Sequence, residues 1–283
     1  MNYRQKWHRL SNLLKLNPLR NKIPLKNITK CLVLFHPRSG SSWLLKLLEE
    51  NSNFRIGYEI FGSYQYESGS PTVFEQEKLL NNFYNSNLYR STSTWDNNTG
   101  CWEHSSVNYN VYDTIACKIS PYQIINKKSF VEFVQENQIK VICLTRQDLV
   151  RRAISEYRSD ILYKKIGVHN LTQIDNSSIL GSTKLEKSEF LSFLERSLLG
   201  VQDVTEMANL LVENNVDIFQ LTYECLLNDT NSSLQKLEEF LDSKINIRQT
   251  DKIIKITDNN LQNSISNYRE SLQWADEYLR IKG

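Results

Sequence analysis

The chain has 283 residues, with 34 Lys and Arg against 32 Asp and Glu and a formal net charge of +2. So even a balance gives no global signature of nucleic-acid or membrane binding, and the length fits one large α/β domain or two small ones. No Pro/Gly-rich linker and no internal repeat divides it, so residues 31–283 are expected to form a single domain behind a basic arm, residues 1–30.

That arm holds Arg4, Lys6, Arg9, Lys15, Arg20, Lys22, Lys26 and Lys30 and no acid. Leu10, Leu13, Leu14 and Leu16 are scattered through it without a continuous apolar stretch, which is neither a transmembrane helix nor a normal signal peptide. Two readings stand. A basic amphipathic helix would give peripheral contact with an anionic membrane; the plainer one is a partly ordered arm packed on the domain. The five cysteines, Cys31, Cys101, Cys117, Cys143 and Cys225, are odd in number and include no C-x-x-C pair. Three sit in apolar strand patterns, so reduced thiols in a reducing compartment are expected.

Residues 31–35, Cys-Leu-Val-Leu-Phe, form a short β-prone run ended by His36-Pro37, the pattern of a buried strand. Arg38, Ser39, Gly40, Ser41 and Ser42 follow as a small, donor-rich loop that opens into a helix over 42–50, apolar on nearly every side from Trp43 onward. A strand, a tight hydroxyl-rich loop and a buried helix make an anion site. Free N–H groups and the positive end of the helix dipole converge there. Gly40 permits close backbone approach, and Arg38 supplies fixed charge. The loop is not a Walker A motif: it has one Gly, no Lys after it and an Arg before it.

Residues 60–113 are polar and rich in aromatics, among them Tyr64, Tyr66, Tyr84, Tyr89, Trp95 and Trp102. They suit a sugar-stacking surface and equally an irregular insertion ordered by large side chains. A strand over 114–119, a helix over 128–137 and a strand over 139–144 come next. In a helix over 148–163, Leu149, Val150, Ala153, Ile154, Tyr157 and Ile161 form a core stripe. Ser155 falls on the other side with Asp148, Arg151 and Ser159, and Arg151 and Arg152 read as a solvated basic face. Helices over 187–200 and 203–214, a strand over 217–222 and a helix over 232–242 complete the pattern. Strands alternating with helices imply an α/β fold, a central parallel sheet flanked by helices, with ligands at the carboxyl ends of the strands.

Pro37-Arg-Ser-Gly-Ser-Ser-Trp43 resembles the loop of sulfotransferases that binds the 5′-phosphosulfate of 3′-phosphoadenosine-5′-phosphosulfate (PAPS). The resemblance implies a P-loop-like architecture and gives Arg38, Ser39, Gly40, Ser41, Ser42 and Trp43 to the donor. Arg146 with Ser155 resembles the family's 3′-phosphate clamp, although the two are nine residues apart where eight is commoner. The segment Leu144-Thr-Arg146-Gln-Asp-Leu-Val-Arg-Arg-Ala-Ile-Ser155 is similar to the bacterial trehalose sulfotransferase branch. So are Gly57-Tyr-Glu59-Ile-Phe61, which lacks that branch's Pro, and Thr114–Ile119 with its Lys118. Weaker likenesses, Tyr223-Glu224 before Leu226-Leu227 and Ile265-Ser-Asn267 before Glu270, follow in the family's order.

What the resemblance implies is a metal-independent sulfotransferase that moves a sulfuryl group from PAPS to a hydroxyl acceptor, a small molecule or glycan such as a carbohydrate or glycolipid. Nucleic acid is not an expected partner. Such chemistry positions reactants in line and stabilises charge. Arg38 and the loop N–H groups face the leaving nucleotide, Lys118 is set to reach the sulfonate, and Lys255, with Lys252, to cover the nucleotide. Glu59 is the expected base, with His104 its rival. A Golgi enzyme of this kind carries a membrane anchor ahead of its catalytic domain; with none visible, a cytoplasmic protein is expected. The rival classes are a P-loop nucleotide kinase or NTPase, and a catalytically silent nucleotide-binding protein of the same fold.

Overall fold

The structure is a computed structural model that describes residues 28–51, 53–61, 72–85, 94–96, 101–103, 113–167, 180–246 and 260–282. His104, Lys252, Lys255, Tyr64, Tyr66, Tyr89 and the arm before residue 28 lie outside them.

Five strands form one parallel sheet: β1 (Thr29–Phe35), β2 (Phe54–Glu59), β5 (Thr114–Ile119), β6 (Lys140–Thr145) and β7 (Ile218–Thr222). Their order is β2-β5-β1-β6-β7. Two short strands, β3 (Thr94–Asp96) and β4 (Cys101–Glu103), pair antiparallel with Trp95 opposite Trp102. The helices are α1 (Ser41–Asn51), α2 (Val73–Asn85), α3 (Lys127–Glu136), α4 (Leu149–Ile166), α5 (Lys187–Glu213), α6 (Tyr223–Asn228), α7 (Thr230–Leu241), α8 (Leu261–Ser264) and α9 (Tyr268–Lys282). None of the described helices is long and apolar enough to cross a membrane.

Side-chain alternation divides the core into layers. Val33, Phe35, Ala116, Ile142 and Leu144 pack with Leu44, Leu45, Leu47 and Leu48 of α1 and with Leu234, Leu237 and Leu241 of α7. The opposite face, including Leu32, Leu34, Cys117 and Cys143, packs under α2, α3 and the second half of α5. A third cluster joins α4, the first half of α5 and the carboxyl-terminal helices. The α/β expectation holds, and Cys31, Cys117 and Cys143 are buried free thiols.

Several parts of the chain depart from the sequence expectation. The two helices expected over 187–214 are one, because Gly200 is not a stop. A Cβ there would lie 3.0 Å from the Cβ of His36 and 3.2 Å from a guanidinium nitrogen of Arg152, so the glycine serves close approach. The helix expected over 232–242 is α7, but a further short helix, α6, precedes it; Asp229 stands between the two, its side chain accepting from the Ser232 N–H to cap α7. Residues 60–113 also contain α2. Its entry is a capping box: Thr72 N–H donates to the Glu75 carboxylate at 2.7 Å, and the Glu75 N–H donates to Thr72 Oγ1 at 3.3 Å. Tyr84 belongs to the core rather than to a sugar surface, donating to the Cys31 carbonyl at 2.7 Å. Strand β2 and helix α9 were not anticipated.

Candidate active site

The connections diverge at β1: its parallel partners are β5 on one side and β6 on the other, and β1 leads on to β2 beyond β5 while β6 leads on to β7. The loop leaving β1 therefore lies between the carboxyl ends of three strands, the switch point at which open α/β sheets bind ligands. Its conformation is tightly specified. Arg38 and Gly40 both have positive φ, 65° and 88°. Ser39 N–H donates back to the His36 carbonyl at 3.2 Å, and Leu44 N–H to the Gly40 carbonyl at 3.0 Å. The first-turn N–H groups of α1 are left facing the loop. Ser39 is fully buried, and its Oγ has no hydrogen-bond partner among the described residues.

One end of the loop meets β6 and α4. Arg38 Nε donates to Ser155 Oγ at 3.2 Å. Arg146 Nη1 donates to the Arg38 carbonyl at 3.3 Å, and its guanidinium lies 4.5 Å from the centre of the Tyr223 ring. Arg146 Nε is buried with no partner among the described residues. Arg146, Ser155 and the loop arginine thus converge despite the nine-residue spacing. Burial, with Arg146 adding to it, pushes the Arg38 guanidinium down to about 10, against the pull of Glu156. It remains a cation at neutral pH.

Three residues that sequence reasoning gave no site role hold this end together. His36 is buried; its Nε2 accepts from the Arg146 N–H at 3.4 Å while Nδ1 lies 3.2 Å from the Pro37 carbonyl. Burial, then the charge of Arg152, drives its pKa down to about 3, so the ring is neutral with its proton on Nδ1. Arg152 is buried too, which corrects the solvated basic face expected of it. Its Nε donates to the Pro37 carbonyl at 2.7 Å and its Nη1 to the Arg196 carbonyl at 3.2 Å. Arg151 keeps the surface role, paired with Asp148 at 3.4 Å. Tyr223 fills the space over Gly40 and meets Trp43 edge-on at 5.8 Å. Next to it, the Glu224 carboxylate accepts from the N–H groups of Gln147 and Asp148 at 3.1 and 3.2 Å. The Tyr-Glu pair thus ties the start of α6 to the junction between β6 and α4.

The other end of the loop meets β5 and β2. Lys118 lies on the α1 face of the sheet, over the Phe35 ring at 4.7 Å, and its Nζ donates to Ser42 Oγ at 3.0 Å and Ser41 Oγ at 3.5 Å. A register shift between Gly57 and Glu59 brings Glu59 opposite Lys118, with 4.0 Å between carboxylate and ammonium. Burial lowers the Lys118 pKa; Glu59 opposes the shift and Arg38 adds to it. Glu59 Oε1 also accepts from Gln123 Nε2 at 2.8 Å. Asn267, from the carboxyl-terminal likeness, is elsewhere: its side chain brackets the Leu185 N–H and carbonyl at 2.9 and 3.0 Å.

The arrangement is a cationic, donor-rich loop with the Glu59 carboxylate beside Lys118 at one end, suited to a large anion and to removing a proton beside it. Residues 29–277 match the family model described as "Sulfotransferase domain". No curated protein sequence matches. Several solved structures are distantly similar, two of them as follows. A sulfotransferase from Alicyclobacillus acidocaldarius aligns at 11% identity and TM-score 0.42, covering 90% of this chain and 96% of its own. The sulfotransferase domain from the curacin biosynthetic pathway aligns at 14% identity and TM-score 0.43, covering 84% and 82%. The match over residues 29–277 carries the assignment: this chain belongs to the sulfotransferase domain family.

Proposed function

We propose that the protein transfers the sulfuryl group of PAPS to a hydroxyl, on a carbohydrate or glycolipid acceptor, through one catalytic domain and in the cytoplasm. The observation that carries this reading is the meeting of Arg38, Arg146 and Ser155 at one end of the loop with Lys118, Ser42 and Glu59 at the other. A donor with a phosphate at one end and a phosphosulfate at the other fits two cationic ends. The buried, unpartnered Ser39 Oγ and Arg146 Nε are donors that such an anion would satisfy. Arg146 and Ser155 would hold the 3′-phosphate, and the loop N–H groups with Ser41 and Ser42 the 5′-phosphosulfate. Lys118 would face the sulfonate. Glu59 would take the acceptor's proton as its oxygen bonds to sulfur and the nucleotide leaves with the S–O electrons. The carbohydrate acceptor rests on the likeness of Glu59 and its neighbours to the trehalose branch.

Thermal denaturation with 3′,5′-adenosine bisphosphate tests the donor. At ~100 times its Kd the ligand should stabilise the fold by about 2.7 kcal/mol, without magnesium, and ATP or GTP far less. Equal stabilisation by ATP, or an absolute need for metal, would overturn the assignment.

A further inference from the structure

Gln123 ends a single 3-10 turn, Pro121–Gln123, that starts two residues after β5. Its side-chain amide is nearly buried and works in two directions. Oε1 accepts from the Ser120 N–H at 2.9 Å, and Nε2 donates to Glu59 Oε1 at 2.8 Å. Its backbone is pinned from behind: Gln76 Nε2 donates to the Gln123 carbonyl at 2.5 Å, and Gln76 Oε1 accepts from the Ile125 N–H at 3.0 Å. Gln76 is itself nearly buried on α2.

These partners fix the amide's orientation. Turned over, it would set an oxygen against a carboxylate and an NH₂ against an N–H. The amide meets both demands at once. A carboxylate at this position could accept from Ser120 but not donate to Glu59, and an apolar side chain could do neither. Strand β5 therefore governs both oxygens of Glu59: Lys118 stands 4.0 Å from Oε2, and the turn after the strand delivers a donor to Oε1.

We propose that Gln123, braced by Gln76, is a positioning residue: it anchors Glu59 through Oε1 and leaves Oε2 as the oxygen that receives the acceptor's proton. This rests on Glu59 being the base. A carboxylate held at one oxygen keeps its other within reach of a bound hydroxyl, and a misplacement of about 1 Å in such a site costs roughly a hundredfold in rate.

The test uses the full chain with PAPS and trehalose, or the fastest-sulfated member of a panel of neutral sugars. Gln123→Glu keeps the acceptor for Ser120 and loses the donor to Glu59; Gln123→Met loses both. Each should lower kcat about ten- to a hundredfold, the loss expected for a hydrogen bond to a charged group. In Gln123→Glu the acceptor KM and the affinity for 3′,5′-adenosine bisphosphate should stay near wild type, while the second carboxylate facing Glu59 lowers the melting temperature. In a Glu59→Gln background neither change should cost more, because the two residues act as one unit. Wild-type kcat in Gln123→Glu, or an equal loss in both backgrounds, overturns the proposal. Should Gln123→Met fail to fold, Gln123→Glu decides alone. Full turnover in Glu59→Gln would remove the base assignment and this proposal with it. A nearly inactive Glu59→Gln beside a fully active Gln123→Glu would remove this proposal only.

Discussion

Arg38 and Ser155, 117 positions apart in the chain, are joined by a hydrogen bond of 3.2 Å from the guanidinium Nε to the hydroxyl. The loop after β1 and the helix after β6 are thereby one unit, with Arg146 closing it through the Arg38 carbonyl.

Removing Arg146 should separate a binding role from a structural one. Arg146→Ala is expected to weaken 3′,5′-adenosine bisphosphate by roughly 1.5–3 kcal/mol, and Ser155→Ala by about 1 kcal/mol. Adenosine 5′-phosphate, which lacks the 3′-phosphate, should lose hardly anything in either variant. Calorimetric titration of both ligands decides the matter. Equal losses would make the pair a scaffold for the loop and not a clamp.

Gly40 is the loop position with least freedom to change. Its φ of 88° disfavours any side chain, and a Cβ would sit 2.5 Å from Tyr223 Cδ2. Gly40→Ala should cost about 1–3 kcal/mol for the backbone alone. It should also displace Tyr223 from Arg146 and Trp43. The expected result is a melting temperature several degrees lower together with weakened bisphosphate binding. Unchanged binding would mean that the ring over Gly40 does not shape the site.

The loop was legible in the sequence because all its parts are local: an apolar run, a positive-φ glycine, three serines and a helix start within a dozen residues. Arg146 and Ser155 could be named for the same reason, since they share one strand-to-helix junction. What escaped was held by distant partners. Arg152 looks like any surface arginine until α5 covers it, and Gly200 looks like a helix stop until His36 and Arg152 are found against it. Gln123 carries one local mark, the Ser120-x-x-Gln123 capping box around Pro121, but its task is defined by the distant Glu59 and Gln76. Helix α2 did carry local signals, Thr72 to Glu75 and the spacing of Gln76, Leu79, Leu80, Phe83 and Tyr84. The Asn- and Tyr-rich surroundings hid them.

His36 makes the stability pH-dependent in a predictable direction. Its pKa is about 3 in the folded protein against an ordinary 6.5, so below pH 6.5 the unfolded chain takes up a proton that the folded one refuses. Stability from this group is complete above about pH 6.5 and is lost as pH falls toward 3, at up to ~1.4 kcal/mol per pH unit. His36→Gln keeps an acceptor for the Arg146 N–H without a titrating ring. Melting curves between pH 4 and 8 should show a shallower acid decline for the variant than for wild type. Parallel curves would mean that His36 titrates in the fold as it does in the unfolded chain.

The base assignment is the sharpest exposure of the catalytic reading. Glu59→Gln preserves the shape of the side chain and removes its use as a proton acceptor. General-base catalysis contributes about 10²–10⁴-fold, so turnover of PAPS with a sugar acceptor should fall by that factor. Affinity for 3′,5′-adenosine bisphosphate should hold, because Glu59 meets Lys118 and Gln123 and neither Arg38 nor Arg146. His104→Gln should be mild by the same logic. The reverse pattern, with Glu59→Gln keeping more than about a third of wild-type turnover and His104→Gln nearly dead, would move the proton to the histidine. The Glu59–Lys118 pair would then serve only to hold the ammonium where the sulfonate passes.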